Sequence, residues 1–127
     1  MPVGSSARFC FGEYEAVCGI YERNGEKIPE KAYTKWLDYD KIKNSLVIRT
    51  RKQGDFLVID KNGGRKKLKD YMIDQKIPRQ ERDSIPLLAS GPEIFWVAGH
   101  RISESCKIDN NTRHVLHIQI TGGNTHE

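Results

Sequence analysis

The chain has 127 residues, enough for one ordinary domain with its own core and short for two. Its 37% hydrophobic and 30% charged residues are close to the average of folded proteins, which argues against wholesale disorder. The formal net charge of +4 conceals an asymmetry: between Arg49 and Arg82 stand eleven Lys and Arg against five acids, and the remainder has a slight acidic excess. A local excess of this kind favours an anionic partner, nucleic acid ahead of an acidic protein or a membrane surface.

No stretch approaches the ~18 apolar residues of a membrane span, and MPVGSSAR lacks the basic start and apolar middle of a signal peptide. A cytoplasmic chain is expected. Cys10, Cys18 and Cys106 form no C-x-x-C pair and are an odd number, so they read as reduced, mostly buried small hydrophobes.

In chain order, ARFCF (7–11) and YEAVCGI (14–20) read as strands parted by a turn at Gly12 and Glu13. A polar loop follows, with Asn24-Gly25 as a turn signal and Pro29 as a breaker. YTKWLDYDKI (33–42) fits a strand or an extended segment equally well. LVIRTR (46–51) alternates: Leu46, Ile48 and Thr50 share one face, Val47, Arg49 and Arg51 the other. After a turn at Gly54-Asp55, DFLVID (55–60) reads as another strand, closed by Lys61-Asn62-Gly63-Gly64.

Helical spacing then takes over. From Arg65 to Gln75, Leu68, Tyr71 and Met72 fall on one arc, with Arg65, Lys66 and Lys69 on the adjoining one. Pro78 ends this helix and opens a short second one, Arg79 to Asp83. The last third is β-rich: IPLLA (85–89), IFWVA (94–98) and RHVLHIQI (113–120), with 121–127 as a flexible tail.

Arg65, Lys66 and Lys67 would thus stand in a first helical turn, where each opposes the macrodipole by about 0.3 to 1 kcal/mol. One reading is a solvated charged face, with Lys66 offset by Asp70 at i,i+4. The other is a phosphate site, in which Gly63 and Gly64 bring backbone N–H groups close to an anion at the helix entry. Arg49, Arg51, Lys52, Lys76, Arg79 and Arg82 lie near in sequence and favour the second. It is no nucleotide-binding P-loop, because G-x-x-x-x-G-K-[ST] is absent.

Trp36 and Tyr39 are candidates for stacking on an unpaired base, whereas Tyr71, Phe95 and Trp96 read as core. Arg79 and Arg82 divide evenly between pairing with Glu81 or Asp83 and contacting an anion. Asp70 and Asp74 orient Lys66, Lys69 or Arg79 rather than catalyse. His114 and His117, three apart on a strand, face opposite ways and suggest no metal, and nothing resembles a nucleophile with its base.

RTRKQGD (49–55), GGRKKLKDYMIDQKIPRQERDSIPLL (63–88), IFWVAGHRI (94–102) and TRHVLHI (112–118) together resemble the C-terminal substrate-recognition domain of bacterial tRNA(Ile)-lysidine synthetase, over about residues 33–120. DFLVID and Val97-Ala98-Gly99 depart from the family's usual loops. The resemblance implies an α+β fold, mostly β-strands in a partly open sandwich or barrel, with one basic amphipathic helix and a short second helix. It implies a noncatalytic, tRNA-binding part of a ligase that converts the wobble cytidine of an isoleucine tRNA to lysidine. The family's S-G-G-x-D-S phosphate loop is absent, so ATP and Mg would belong to a separate catalytic domain and this chain would need no cofactor. The implied partners are the acceptor stem of an isoleucine tRNA and that catalytic domain. The role is carried onto Arg49, Arg51, Arg65, Lys66, Lys67 and Lys69. The alternative is a protein-interaction module whose basic helix docks on an acidic partner or on the catalytic domain.

Overall fold

The computed structural model describes residues 4–25, 27–28, 31–42 and 46–122. Contacts gather the chain into two compact units, one formed by residues 1–43 with 106–127 and the other by 44–105.

The first unit is a four-stranded antiparallel sheet of β1 (Ser6–Phe11), β2 (Tyr14–Glu22), β3 (Thr34–Asp38) and β9 (His114–Gly122), in the order β1-β2-β9-β3. Period-two alternation builds its buried face: Ala16, Cys18 and Ile20 of β2 stand opposite Ile120, Ile118 and Leu116 of β9. Leu37 of β3 continues the row beside Leu116, and all seven side chains are buried. Gly12, at φ +55°, makes the β1–β2 turn where the sequence places it. The ambiguous segment 33–42 resolves into β3 and a 3-10 turn, Tyr39–Lys41, because the Asp38 carboxylate accepts the Asp40 N–H and ends the strand. The strand expected to stop at Ile120 runs on through Thr121 and Gly122; residues 123–127 and Pro29 lie outside the described ones.

The second unit is a five-stranded sheet of β4 (Val47–Arg49), β5 (Phe56–Val58), β6 (Arg65–Lys67), β7 (Leu87–Ser90) and β8 (Glu93–Val97), in the order β4-β7-β8-β5-β6. Helix α1 (Leu68–Asp74) closes its core: Leu68, Tyr71 and Met72 pack with Leu57, Leu87 and Ile94. Burying each such aliphatic side chain contributes about 1.5 to 3 kcal/mol.

The expected helix of residues 65–75 is therefore corrected to Leu68–Asp74. Asp60 accepts the N–H groups of Asn62 and Gly64, both at 2.9 Å, and Gly63 takes φ +82°. That turn sends Arg65–Lys67 back antiparallel along β5, with Leu57 opposite Lys66. Helix begins only where Leu68 N–H reaches the Asp55 carbonyl at 2.9 Å. Gly63 and Gly64 consequently belong to a hairpin turn and not to a helix entry. The dipole problem disappears with the correction, since the three cations stand in an edge strand. Edge strands commonly carry Lys, which discourages pairing with another chain.

Helix α1 ends before Pro78. Lys76 N–H binds the Ile73 carbonyl and Ile77 N–H the Met72 carbonyl, each at 3.0 Å, the double bond of a Schellman cap. Lys76 takes φ +55° there, in the place glycine usually fills. The expected second helix is a single 3-10 turn, Arg79–Glu81.

Candidate nucleic-acid interface

The basic segment folds into a groove of about 740 Å³ on the second unit, lined by Arg51, Lys52, Gln53, Gly54, Asp55, Lys67, Leu68, Lys69 and Asp83. The hydrogen bond from Leu68 N–H to the Asp55 carbonyl ties the start of α1 to the loop that precedes β5.

Arg49 does not enter it. Its guanidinium is spent on a two-pronged bond to Asp55, Nη1 to Oδ2 at 2.9 Å and Nη2 to Oδ1 at 2.8 Å. It also donates to the carbonyls of Gly91 and Thr50, at 2.7 and 3.0 Å. The hydrogen bonds that Arg49 donates to Asp55 hold its pKa above the ordinary value despite partial desolvation. The Asp55 side chain is 2% exposed and the Arg49 side chain 14%. Asp55 also accepts Lys52 N–H at 2.8 Å, so the Arg49–Asp55 pair fixes the loop that carries Arg51 and Lys52.

The other sequence-derived residues divide by whether a carboxylate already holds them. Arg51 donates Nε to Asp83 at 2.7 Å, and its Nη1 lies 4.0 Å from the Met72 sulfur. Lys66 is paired with Asp74 and not with Asp70, because the strand start displaces it from the expected i,i+4 position. Arg82 donates Nε to the Ile77 carbonyl at 2.9 Å, closing the turn after α1. Arg79 and Lys76 are exposed, outside the groove. Lys52, Lys67 and Lys69 are exposed, line the groove and have no ion-pair partner among the described residues.

Arg65 is held differently. Its guanidinium lies 4.2 Å from the centre of the Phe56 ring, a cation–π contact on the face of the β5–β6 hairpin that also presents Lys67, directly opposite Phe56. The outward cations of β6 thus lead along the strand to the groove mouth. The sequence reading missed Phe56 as the partner of Arg65, and it weighed Asp83 as a partner of Arg79 or Arg82 rather than of Arg51. Phe56 was legible as a strand residue, but its pairing depends on a hairpin register that the helix assignment hid. Asp83 reaches Arg51 across thirty-two positions, and no local pattern announces it.

In the first unit, Trp36 lies against His117 with ring centres 4.7 Å apart, and Tyr21 meets His117 edge-on at 6.4 Å. Tyr39 is in the 3-10 turn after β3. Among the described residues no group of three or more His, Cys, Asp or Glu is placed to hold a metal ion, and no helix is long and apolar enough to cross a membrane.

The groove thus presents three lysines, Lys52, Lys67 and Lys69, that are unpaired among the described residues and stand on a loop, a strand and a helix start. The chain is 53% identical over 89 residues to the tRNA(Ile)-lysidine synthase of Caldanaerobacter subterraneus subsp. tengcongensis, a match covering 70% of this chain and 19% of that protein. It is 44% identical over 95 residues to the tRNA(Ile)-lysidine synthase of Clostridium tetani, covering 75% and 20%. The chain spans about a fifth of the length of these relatives. A solved crystal structure of a TILS C-terminal domain superimposes with a TM-score of 0.72 at 28% identity, over 98% of this chain and 95% of that one. The family model for the TilS substrate C-terminal domain matches residues 46–120, the whole of the second unit's sheet and helix together with most of β9, and the chain belongs to that family.

Proposed function

We propose that this chain is the tRNA-binding part of a tRNA(Ile)-lysidine synthase, and that it grips the acceptor stem of an isoleucine tRNA by its phosphates. The observation that carries the reading is the groove in which Lys52, Lys67 and Lys69 have no carboxylate partner among the described residues. Arg65, braced on Phe56, extends the contact along β6. Arg49 is removed from the contact set sequence analysis assembled, because it is enclosed and bound to Asp55.

A duplex RNA stem is A-form, with a major groove too deep and narrow for side chains to read, so recognition rests on shape, phosphates and 2′-hydroxyls. Lysine suits this task as a point charge that accepts many phosphate geometries. Sequence discrimination by the isolated chain is accordingly modest. Selection of one tRNA follows when the remainder of the enzyme engages the anticodon and the linkage raises the local concentration of each site for the other. ATP, Mg and the lysine-transfer chemistry belong to that remainder.

The test is equilibrium binding of this chain to an acceptor-stem RNA hairpin and to a DNA hairpin of equal length across a salt series. RNA should bind more tightly, with a log–log slope corresponding to about three to six phosphates at roughly 0.7 to 0.9 each. Lys67→Glu with Lys69→Glu should lower that slope by about 1.4 to 1.8 without changing the melting curve. Equal binding of both hairpins, seen only at low salt, would sink the proposal and turn the search toward an acidic protein partner.

A further inference from the structure

Two carboxylates line the groove, and they differ in kind. Asp55 is enclosed and committed to Arg49 and to the Lys52 N–H. The Asp83 side chain is 80% exposed and accepts a bond from Arg51 Nε at 2.7 Å. An ion pair this open contributes little to folding. Nor is Asp83 needed to place Arg51, whose side chain is 28% exposed and already lies against the Met72 sulfur.

We infer that Asp83 is an internal competitor for phosphate: its carboxylate sits where a phosphodiester of the bound RNA would contact Arg51, and RNA must displace it to recruit that guanidinium. The inference rests on the reading of the groove as a phosphate site. At rest the groove offers the free lysines Lys52, Lys67 and Lys69, with Arg51 locally neutralised. A single small anion that reaches Arg51 merely exchanges one carboxylate for another anion. A polyanionic backbone held by the lysines delivers a phosphate to Arg51 at high local concentration, and a phosphate has the oxygens to take the fork of Nε and Nη together. Asp83 therefore sets a threshold that favours extended backbones over isolated phosphate ions.

Asp83→Asn tests this, measured with an acceptor-stem RNA hairpin and with inorganic phosphate as competitor, in the wild-type and Arg51→Gln backgrounds. In the wild-type background the substitution should raise RNA affinity by about three- to tenfold at fixed salt. Because bound RNA engages Arg51 in both proteins, the salt slope should stay close to the wild-type value, while inorganic phosphate should compete at lower concentration. With Arg51→Gln the gain should shrink below about twofold, since the cation being unmasked is gone. Unchanged affinity in Asp83→Asn overturns the inference, as does an equal gain in the Arg51→Gln background, which would make Asp83 a general charge only. Lys67→Glu with Lys69→Glu, run alongside, separates this failure from that of the groove: if that pair leaves RNA binding intact, the phosphate-site reading itself is wrong.

Discussion

If the groove binds RNA as proposed, Arg49 should shape it without touching the RNA. Replacing it with alanine leaves the Asp55 carboxylate enclosed, 2% exposed, with the Lys52 N–H as its remaining hydrogen-bond donor. Breaking one side of a buried pair costs about 3 to 5 kcal/mol, and the 14% exposure of the Arg49 side chain places this case near the lower end. For a chain of this size about 3 kcal/mol corresponds to a fall in Tm of roughly 12 °C. Circular-dichroism melts, checked by calorimetry for a single cooperative transition, measure it. Arg49→Lys should rescue poorly, because an ammonium cannot reach both carboxylate oxygens and the Gly91 carbonyl in one plane. The decisive variant is Arg49→Met with Asp55→Leu. It removes one positive and one negative charge together, so the groove keeps its net charge, and apolar replacement of a buried pair is often close to neutral in stability. That double variant should recover at least half of the lost Tm and keep the wild-type salt slope for RNA. A folded double variant whose slope drops by about 0.7 to 0.9 would show that Arg49 contacts a phosphate, and would refute the argument.

The remaining expectations are narrower. Lys76→Gly should raise Tm by about 2 to 4 °C, since glycine accepts the φ of +55° without the roughly 1 kcal/mol a side chain meets there, whereas Lys76→Ala should not. His100 has its pKa lowered, first by burial and in spite of the opposing Glu81 charge, so the unfolded chain protonates before the folded one. Stability should fall as pH drops through about 6.5 toward the folded-state value, and His100→Asn should flatten that part of a urea-midpoint series. Thr112→Val should cost about 1 to 3 kcal/mol, because its hydroxyl donates to Asp38 and accepts the Asp109 N–H, both at 2.8 Å. Unchanged urea midpoints for that variant would show that the buried Asp38 finds another donor.

In the first unit β2 and β9 were legible because nine residues each let apolar and polar alternation show, whereas the five residues of β3 left strand and extended segment equally open. The strands of the second unit are three to five residues, too short for alternation to fix their ends. The helix was placed correctly by Leu68, Tyr71 and Met72 but begun too early. Its N-cap is Lys67, which makes no side-chain cap, so the residue types that mark a helix start are missing there. The basic character of the site was legible in composition. Which cations are free was not, because Asp55, Asp74 and Asp83 each select a partner through the fold.

Division of the chain into its two units sharpens the electrostatic argument. Residues 1–43 with 106–127 hold equal numbers of basic and acidic side chains, and residues 44–105 carry the entire excess of +4. Attraction toward a polyanion therefore originates in the second unit, and within it the cations of β6 stand on the open edge of the sheet. That edge also explains why two readings of Arg65-Lys66-Lys67 need not compete. A strand edge exposes unpaired backbone groups that would pair with another chain, and cations there repel an identical edge. The same repulsion keeps Arg65 and Lys67 in solvent and uncovered, where a phosphate backbone can reach them, while Lys66 turns to Asp74. On the proposed function, protection of the edge and recruitment of RNA would be met by one set of charges, which would offset the cost of holding them apart from carboxylates.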